Sequence, residues 1–478
     1  MSAVTEALGP VGPSVATRVD AGGLGARDAA ETYDRIARLV AAGSVVAVGV
    51  DQRVGAGATP ALPVALVLVP LWLPMLRRYA LATLLAGLAA LSAVSGVVLS
   101  ELSSTDHVVS GPNRLQAIGL LASGIAAFGL LLWAASLLPL HRVALLYGLG
   151  GLASTVVQGE MSWKYNLAVP TTFVVLGLVE RRRTGVVPAV TVFVLGVLAV
   201  ADEARSLFAV CVLAATLTVW QLRPLAGARR QPGSPRHRWF PVALLAGLGV
   251  AVYFFISALA TGGTLGETLQ ERSSTQITSS GSLIAGGRPE WAATRELFRL
   301  EPAGYGAGVV PTWTDRIAGE TGLASINVDA GGYADNYMFG NTFELHSVIA
   351  DLWVRFGWVG VALGVVIVVV ILRGVSFLLA ERQAPTYLLF GCILALWYVL
   401  FGPMYSNWLD VCGALGLAAV GAGPRSGEAV APGVGVAAPG PGLRPEAPSE
   451  PPSEPLFEPA SEPSSVSAPS PGSGSTPA

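Results

Sequence analysis

Long apolar runs separated by short connections constrain this chain more than any other feature of its sequence. About twelve runs reach or approach the length that a helix needs to cross roughly 30 Å of hydrocarbon. Only 13% of the 478 residues are charged and 52% are hydrophobic, whereas a soluble domain carries about 25% charged residues. We therefore predict an all-α, polytopic transmembrane helical bundle. The runs lie near residues 39–50, 61–76, 79–99, 115–138, 143–157, 165–179, 186–201, 206–222, 239–260, 352–372, 386–402 and 408–422.

Basic residues fall in every second connection between these predicted spans, while the intervening connections carry acids such as Asp51, Glu101 and Asp202. Because cytoplasmic loops are enriched in Lys and Arg, the alternation predicts both termini in the cytoplasm and the segment 261–346 outside. The net charge of −2 gives no reason to expect a nucleic-acid partner. The basic clusters are Arg77–Arg78, His141–Arg142, Arg181–Arg183, Arg223–Arg238, and Arg373 with Arg382.

The chain divides into three predicted regions. Residues 1–38 are polar, lack the pattern of a signal peptide and are expected to form a cytoplasmic N-terminal segment. Residues 39–423 hold the transmembrane domain. Residues 424–478 are rich in Pro, Ser, Gly and Glu, which predicts a disordered cytoplasmic tail. The three cysteines, Cys211, Cys392 and Cys412, lie in apolar runs without metal-ligand spacing, so we expect small buried hydrophobes.

The outer segment 261–346 is expected to be a long extracytoplasmic loop that contains short amphipathic helices. Pro289 and the acidic Glu290 predict a helix start, with Trp291 as an aromatic anchor at the membrane surface. Arg288 precedes this start, where free backbone N–H groups favour anions. Its planar guanidinium is suited to a phosphate, because it binds two oxygens at once. An ordinary surface arginine is the alternative interpretation.

Two further outer residues are candidates for chemistry. His346 opens a helical stretch, and the helix dipole there favours a neutral ring that can accept a proton; a structural interfacial histidine is the alternative. Arg205 lies in a short outer turn, where it binds an anion or only pairs with Asp202 or Glu203. Lesser candidates for the same outer site are Lys164, Tyr165, Asp335 and Glu344.

A glycine-rich turn, GYGAG, carries Gly304, Gly306 and Gly308. It does not follow a strand as a dinucleotide-binding fingerprint does, which argues against a nucleotide site. We expect these glycines to let the backbone approach a ligand or the membrane-surface helix.

Taken in their order along the chain, the motifs described above resemble those of the bacterial O-antigen ligase and polymerase superfamily. The resemblance covers roughly residues 185–370. In two respects the chain departs from the family: the turn around Arg205 reads ADEARS, where the family's turn is usually serine-rich, and the position near Arg355 is often acidic in the family. The resemblance rests on Arg205 at an outer turn, the step from Arg288 to Trp291, the turn with Pro302, Gly304, Gly306 and Gly308, and His346 followed by Ser347, Gly357 and Gly360.

The resemblance implies a glycosyltransferase of the bacterial plasma membrane that moves a glycan from a polyprenyl-pyrophosphate carrier to a glycan, lipid or protein acceptor on the extracytoplasmic face. Arg205 and Arg288 would hold the pyrophosphate and stabilise its charge as it leaves. His346 would orient or deprotonate the acceptor hydroxyl. The reaction would invert the anomeric configuration and need no metal or other cofactor. Substrate contacts are expected from Trp291, Gly304, Gly306, Lys164 and Glu344.

Three alternatives remain at this point, and one of them, a non-enzymatic membrane scaffold, gives no reason for a long outer loop with this pattern. A polymerase of repeat units needs the same donor site as a ligase, so the sequence does not separate these two activities. A transporter or lipid flippase is the alternative of another class. Transporters usually place ionisable residues or broken helices near the middle of the membrane, whereas the predicted spans here hold almost no charge.

Overall fold

The chain folds into a bundle of α-helices. The computed structural model describes residues 21–181, 185–222, 236–262, 267–281, 286–328 and 332–423. No β-strand occurs in these ranges, which confirms the predicted all-α class. The predicted disordered tail at 424–478 lies outside the described residues, as do residues 1–20 and the basic residues at 182–183 and 223–235.

The helices follow one another with mostly short connections. Three single turns of other helix types accompany them: a 3-10 turn at Leu73–Arg77 and π turns at Trp163–Leu167 and Ala334–Met338. The α-helices are α1 (Ala21–Gly49), α2 (Ala61–Val67), α3 (Val69–Trp72), α4 (Ala82–Ser103), α5 (Gly111–Ala134), α6 (Leu140–Gln158), α7 (Ala168–Glu180), α8 (Val186–Ala201), α9 (Arg205–Gln221), α10 (Arg236–Thr261), α11 (Glu267–Ser280), α12 (Glu290–Leu300), α13 (Trp313–Ala324), α14 (Val348–Ala380), α15 (Thr386–Phe401) and α16 (Met404–Gly421).

Four of the described helices, α4, α5, α6 and α14, are long and apolar enough to cross a membrane. Shorter apolar helices are α8, α9, α15 and the part Ala243–Phe255 of α10. Outward faces of the bundle are apolar as well: Leu91 and Val94 on α4 are 52% and 59% exposed, and Val197 on α8 is 47% exposed. Exposed apolar faces of this extent favour a lipid environment over water.

One predicted span, 61–76, is not a single helix. It divides into α2, α3 and the following 3-10 turn, with Pro70 and Pro74 in the first turns of the last two. Proline has no backbone N–H and its ring clashes with the preceding turn, so each one ends the helix before it. The short run 39–50, in contrast, is the last part of the 29-residue helix α1.

The centre of the bundle is formed by α5, α14 and α16. Helix α14 packs against α4, α15 and α16, and α5 packs against α1 and α16. Small residues allow these close crossings: a Cβ added at Gly374 of α14 would lie 2.4 Å from the Ala418 carbonyl oxygen of α16. The three cysteines are all buried, as their positions in apolar runs predict.

The bundle has two chemically different ends. At the first, which we call the loop end, Gln158 Nε2 donates a hydrogen bond to the Asp51 carbonyl (2.8 Å). At the second, the basic end, Glu180 Oε1 accepts from the Thr386 backbone N–H (2.6 Å). Basic residues of α1, of α6 and of the connections after α7 and α14 lie at the basic end, namely Arg38, His141, Arg142, Arg181 and Arg382.

Candidate functional site

The first turn of α12 meets the last turn of α15 at the loop end. Trp291 donates a hydrogen bond from Nε1 to the Leu400 carbonyl (2.8 Å). The Arg288 guanidinium lies 5.8 Å from the centre of the Trp397 ring, which is a cation–π distance. Both predicted residues therefore lie against one turn of one helix.

His346 is brought to the same turn through its neighbour. Ser347 donates from Oγ to the Val399 carbonyl (3.0 Å), and it caps α14. His346 has a φ of +50°, and its Nδ1 lies 3.1 Å from the Glu344 carbonyl oxygen. The expectation that His346 opens the helix is wrong, because Ser347 is the N-cap and α14 begins at Val348.

Two buried charged residues, Asp351 and Arg355, hold the chain around this histidine. Asp351 accepts the Leu345 N–H at Oδ1 and the Met404 N–H at Oδ2, each at 2.8 Å. Arg355 donates from Nη2 to the Phe343 carbonyl (2.8 Å). One sequence feature could have pointed to these two residues: an acid and an arginine stand four residues apart in the first turns of an otherwise apolar helix.

Arg205 reaches the loop end on α9, which runs antiparallel to α15. At the basic end these helices touch through Thr218 Oγ1 and Thr386 Oγ1 (3.2 Å). Arg205 and Val399 are both 13 residues away from that contact along their own helices, or about 20 Å at 1.5 Å per residue. Arg205 is therefore level with the turn of α15 that Ser347 contacts. Its Nη1 donates to Ser273 Oγ of α11 (2.8 Å).

Lys164 stands beside the turn that carries Arg205. Its backbone N–H donates to Asp202 Oδ2 (2.7 Å), and its Nζ lies 5.2 Å from the centre of the Tyr165 ring. The sequence suggested Asp202 as an ion-pair partner of Arg205. In the structure, the Asp202 carboxylate accepts a hydrogen bond from the Lys164 backbone N–H.

The glycine-rich turn packs against α14 and α4. Among the described residues, no contact joins it to the last turn of α15. A Cβ added at Gly304 would lie 2.5 Å from the Trp353 carbonyl oxygen, and one at Gly306 would lie 2.2 Å from the Ser100 nitrogen. Both glycines have positive φ, +93° and +114°, a region that other residues rarely adopt. Their approach is therefore to α14 and α4, and this packing accounts for them without a ligand.

A small, partly open cavity is lined by Glu344 and Arg355. The volume that the centre of a water molecule can reach inside it is only about 20 Å³, so the cavity has room for about one water molecule. A sugar does not fit, so a glycan would bind outside this cavity. Its lining residues are Asn113, Gln116, Ala117, Leu120, Thr342, Glu344, Arg355 and Tyr405.

A buried carboxylate follows Arg288 at the start of α12. Glu290 is 3% exposed, and its Oε1 accepts the Tyr333 hydroxyl (2.5 Å). Its other oxygen, Oε2, has no hydrogen-bond partner among the described residues. Burial and then the Glu290 charge raise the pKa of Tyr333, while Arg288 acts in the opposite direction. From the sequence, Glu290 was expected only to interact favourably with the helix dipole in the first turn of α12.

Arg53 brings another guanidinium to the loop end. It contacts Asp51 Oδ1 (2.5 Å) and donates to the Tyr405 carbonyl, with its guanidinium 4.9 Å from the centre of the Tyr405 ring. Burial raises the pKa of Asp51, and the Arg53 charge opposes that rise. Because Tyr405 also lines the cavity beside Glu344, this pair borders the candidate site.

Comparisons of the chain with protein-family models, with curated proteins and with solved structures found no match.

We expect Glu344 to make the stability of the fold depend on pH. Burial raises the pKa of its carboxyl, and the Arg355 charge partly opposes this. A raised pKa means that the folded state holds the proton more tightly, so the stabilisation is complete below the ordinary value, about 4.3. It is lost as the pH rises from there through the raised folded-state pKa.

The variant Glu344→Gln should therefore show a flatter dependence of its unfolding temperature on pH than the wild type, measured in detergent from about pH 4 to about pH 8. The variant Glu320→Gln, on α13 and outside the cavity, makes the same chemical change and should keep the wild-type curve. Parallel curves for wild type and Glu344→Gln would contradict the prediction.

Proposed function

We propose that this chain is a membrane glycosyltransferase that moves a glycan from a polyprenyl-pyrophosphate carrier to an acceptor hydroxyl on the extracytoplasmic face. One observation carries the proposal. The segments bearing Arg288 and His346 both contact the last turn of α15, and Arg205 is level with that turn on the neighbouring helix. Two arginines and a histidine at one end of an apolar bundle form a combination that suits the departure of an anionic group from a lipid carrier.

The chemistry needs only these side chains. The acceptor oxygen forms a bond to the anomeric carbon as the bond from that carbon to the phosphate oxygen breaks. The hydroxyl proton passes to His346, and the electron pair leaves with the lipid pyrophosphate. Arg288 and Arg205 stabilise the charge that develops there. Attack from the side opposite to the leaving group inverts the anomeric configuration.

The supporting geometry extends to residues around the site. Asp351 and Arg355 hold the backbone just before His346, at Leu345 and Phe343, through hydrogen bonds of 2.8 Å. Asp351 also ties this segment to the Met404 N–H of α16 (2.8 Å). A general base has to be held close to its productive position, since a displacement of about 1 Å lowers rates strongly. We assign Asp351 and Arg355 the role of positioning residues.

The topology belongs to the same proposal. The shorter apolar helices have 16 or 17 residues in α8, α9 and α15, close to the lower limit of about 17 for a crossing. We infer that these three cross together with α4, α5, α6 and α14. The other crossings would be α1, the broken segment 61–76, α7, α10 and α16, which gives about twelve in total. By the positive-inside rule, the basic end faces the cytoplasm and the loop end faces outward.

The test is a gel and mass profile of lipid-linked and surface glycans in cells that lack this protein and are complemented with wild type or His346→Ala. We expect long glycans to remain on the lipid carrier in the variant, with transfer lowered about 10²- to 10⁴-fold. The variant His141→Ala at the basic end should restore transfer. Single repeat units on the carrier would indicate the polymerase activity instead. Unchanged pools would overturn the proposal.

A transporter or flippase is the second candidate, and one partly buried pair of ionisable residues favours it. Asp410 of α16 accepts a hydrogen bond from the Tyr147 hydroxyl of α6 (2.6 Å) inside the bundle, and ionisable residues within a bundle often mark transport pathways. Under this alternative, Asp410→Asn would stop movement of a lipid or solute across the membrane, and the glycan pools of the previous experiment would stay unchanged.

A further inference from the structure

A second candidate site lies at the basic end, away from the residues discussed so far. Helix α1, the first turns of α6 and the turn before them form an open pocket of about 400 Å³, which is within the usual range of about 300–1,000 Å³ for small-molecule sites. Arg35, Arg38 and Arg142 provide its positive charge, and Glu31 and Asp34 provide its negative charge. Its apolar lining consists of Leu39, Ala42, Leu138 and Leu146.

The three arginines of the pocket differ in whether they form ion pairs. Arg38 pairs with Asp34 at 2.6 Å, one turn away on α1. Within the described part of the chain, no ion pair occupies Arg35 or Arg142. Two guanidinium groups from different helices therefore border one opening and remain available to an anion. The planar fork of arginine is suited to the oxygens of a phosphate.

The apolar lining distinguishes this pocket from a site for a free anion. Leu146 belongs to α6, a helix long and apolar enough to cross a membrane, and Leu39 is 66% exposed although it lies beside charged residues. A ligand that fits both halves carries a phosphate and an apolar chain. Basic pockets between membrane helices on the cytoplasmic side bind anionic lipid head groups.

We propose that this pocket binds the phosphate of an anionic phospholipid, with Arg35 and Arg142 on the phosphate oxygens and the acyl chains along Leu39 and Leu146. The proposal concerns the end of the bundle opposite to Arg288 and His346. It does not depend on the proposed glycan transfer, and either can fail without the other.

The test uses the full-length protein in a neutral detergent, with phosphatidylglycerol, phosphatidylcholine and inorganic phosphate added separately. Phosphatidylglycerol should raise the unfolding temperature and appear as a bound adduct in native mass spectra. Phosphatidylcholine and inorganic phosphate should do neither at the same concentrations. An equal effect of inorganic phosphate would overturn the assignment to a lipid, and an equal effect of phosphatidylcholine would overturn the assignment to an anion.

The variants separate the pocket from the general charge of this end. Arg35→Gln/Arg142→Gln should weaken phosphatidylglycerol binding by about thirtyfold, which corresponds to roughly 1 kcal/mol per arginine. Arg77→Gln/Arg78→Gln removes the same charge outside the pocket and should bind like wild type. Unchanged binding in the first double variant, or equal losses in both, would overturn the proposal. The single variant Arg142→Gln serves if the double variant unfolds without lipid at a lower temperature than wild type.

Discussion

Replacing Arg288 by alanine is expected to lower glycan transfer by two to three orders of magnitude, about the loss seen when one preorganised group that stabilises developing charge is removed. The guanidinium lies 5.8 Å from the centre of the Trp397 ring, at the turn that both candidate segments contact. The measurement is the rate of glycan transfer in membranes that contain equal amounts of wild type and variant protein.

Two further variants show whether the loss belongs to the site. Arg295→Ala changes the same helix, but Arg295 is exposed and pairs with Glu296 on the surface (3.0 Å), so transfer should remain near wild type. Arg288→Lys keeps the charge without the planar fork, and it should restore only part of the rate. Equal activity of Arg288→Ala and Arg295→Ala would remove Arg288 from the site.

Replacing Gly306 by alanine should destabilise the fold by about 3 kcal/mol or more, from an overpacked contact and a strained backbone. The added Cβ would lie 2.2 Å from the Ser100 nitrogen of α4, and φ is +114°. The Gly306 N–H also donates to the Val354 carbonyl of α14 (2.9 Å), so the turn cannot shift away without breaking this bond.

The matched control is Gly340→Ala, since Gly340 lies in the same polar segment and a Cβ there meets nothing within 4 Å. Thermal unfolding in detergent, followed by the reactivity of the buried Cys392 and Cys412 thiols, measures both variants. Gly340→Ala should unfold like wild type. If Gly306→Ala did so too, the turn would have to be less firmly packed than its contacts indicate.

Much of the secondary structure could be read from the chain. The predicted span 186–201 coincides with α8, and the predicted helix after Arg288 begins at Glu290, because apolar runs and capping residues are local signals. The run 61–76 is broken at Pro70 and Pro74, and its hydrophobicity alone does not indicate these breaks. Helix α14 begins later than predicted, because Ser347 is a better N-cap than His346.

The site itself divides in the same way. Arg288, His346 and Arg205 could be named from motif order, but their relation to one turn of α15 could not. The hydrogen bond from Trp291 to Leu400 joins residues 109 positions apart, and the bond from Ser347 to Val399 joins residues 52 apart. No local pattern encodes such pairs.

The sequence alone determined what the chain is made of: apolar helices in an alternating charge pattern, with a polar segment that carries an arginine and a histidine. Those properties follow from composition and from spacing along the chain, and they do not depend on contacts between distant segments. Only the tertiary structure decided that Gly304 and Gly306 pack against helices, that Asp351 holds Leu345 and Met404, and that Arg35 and Arg142 border one pocket. Each of these depends on distant segments meeting, and burial of apolar surface by the whole bundle is what brings them together.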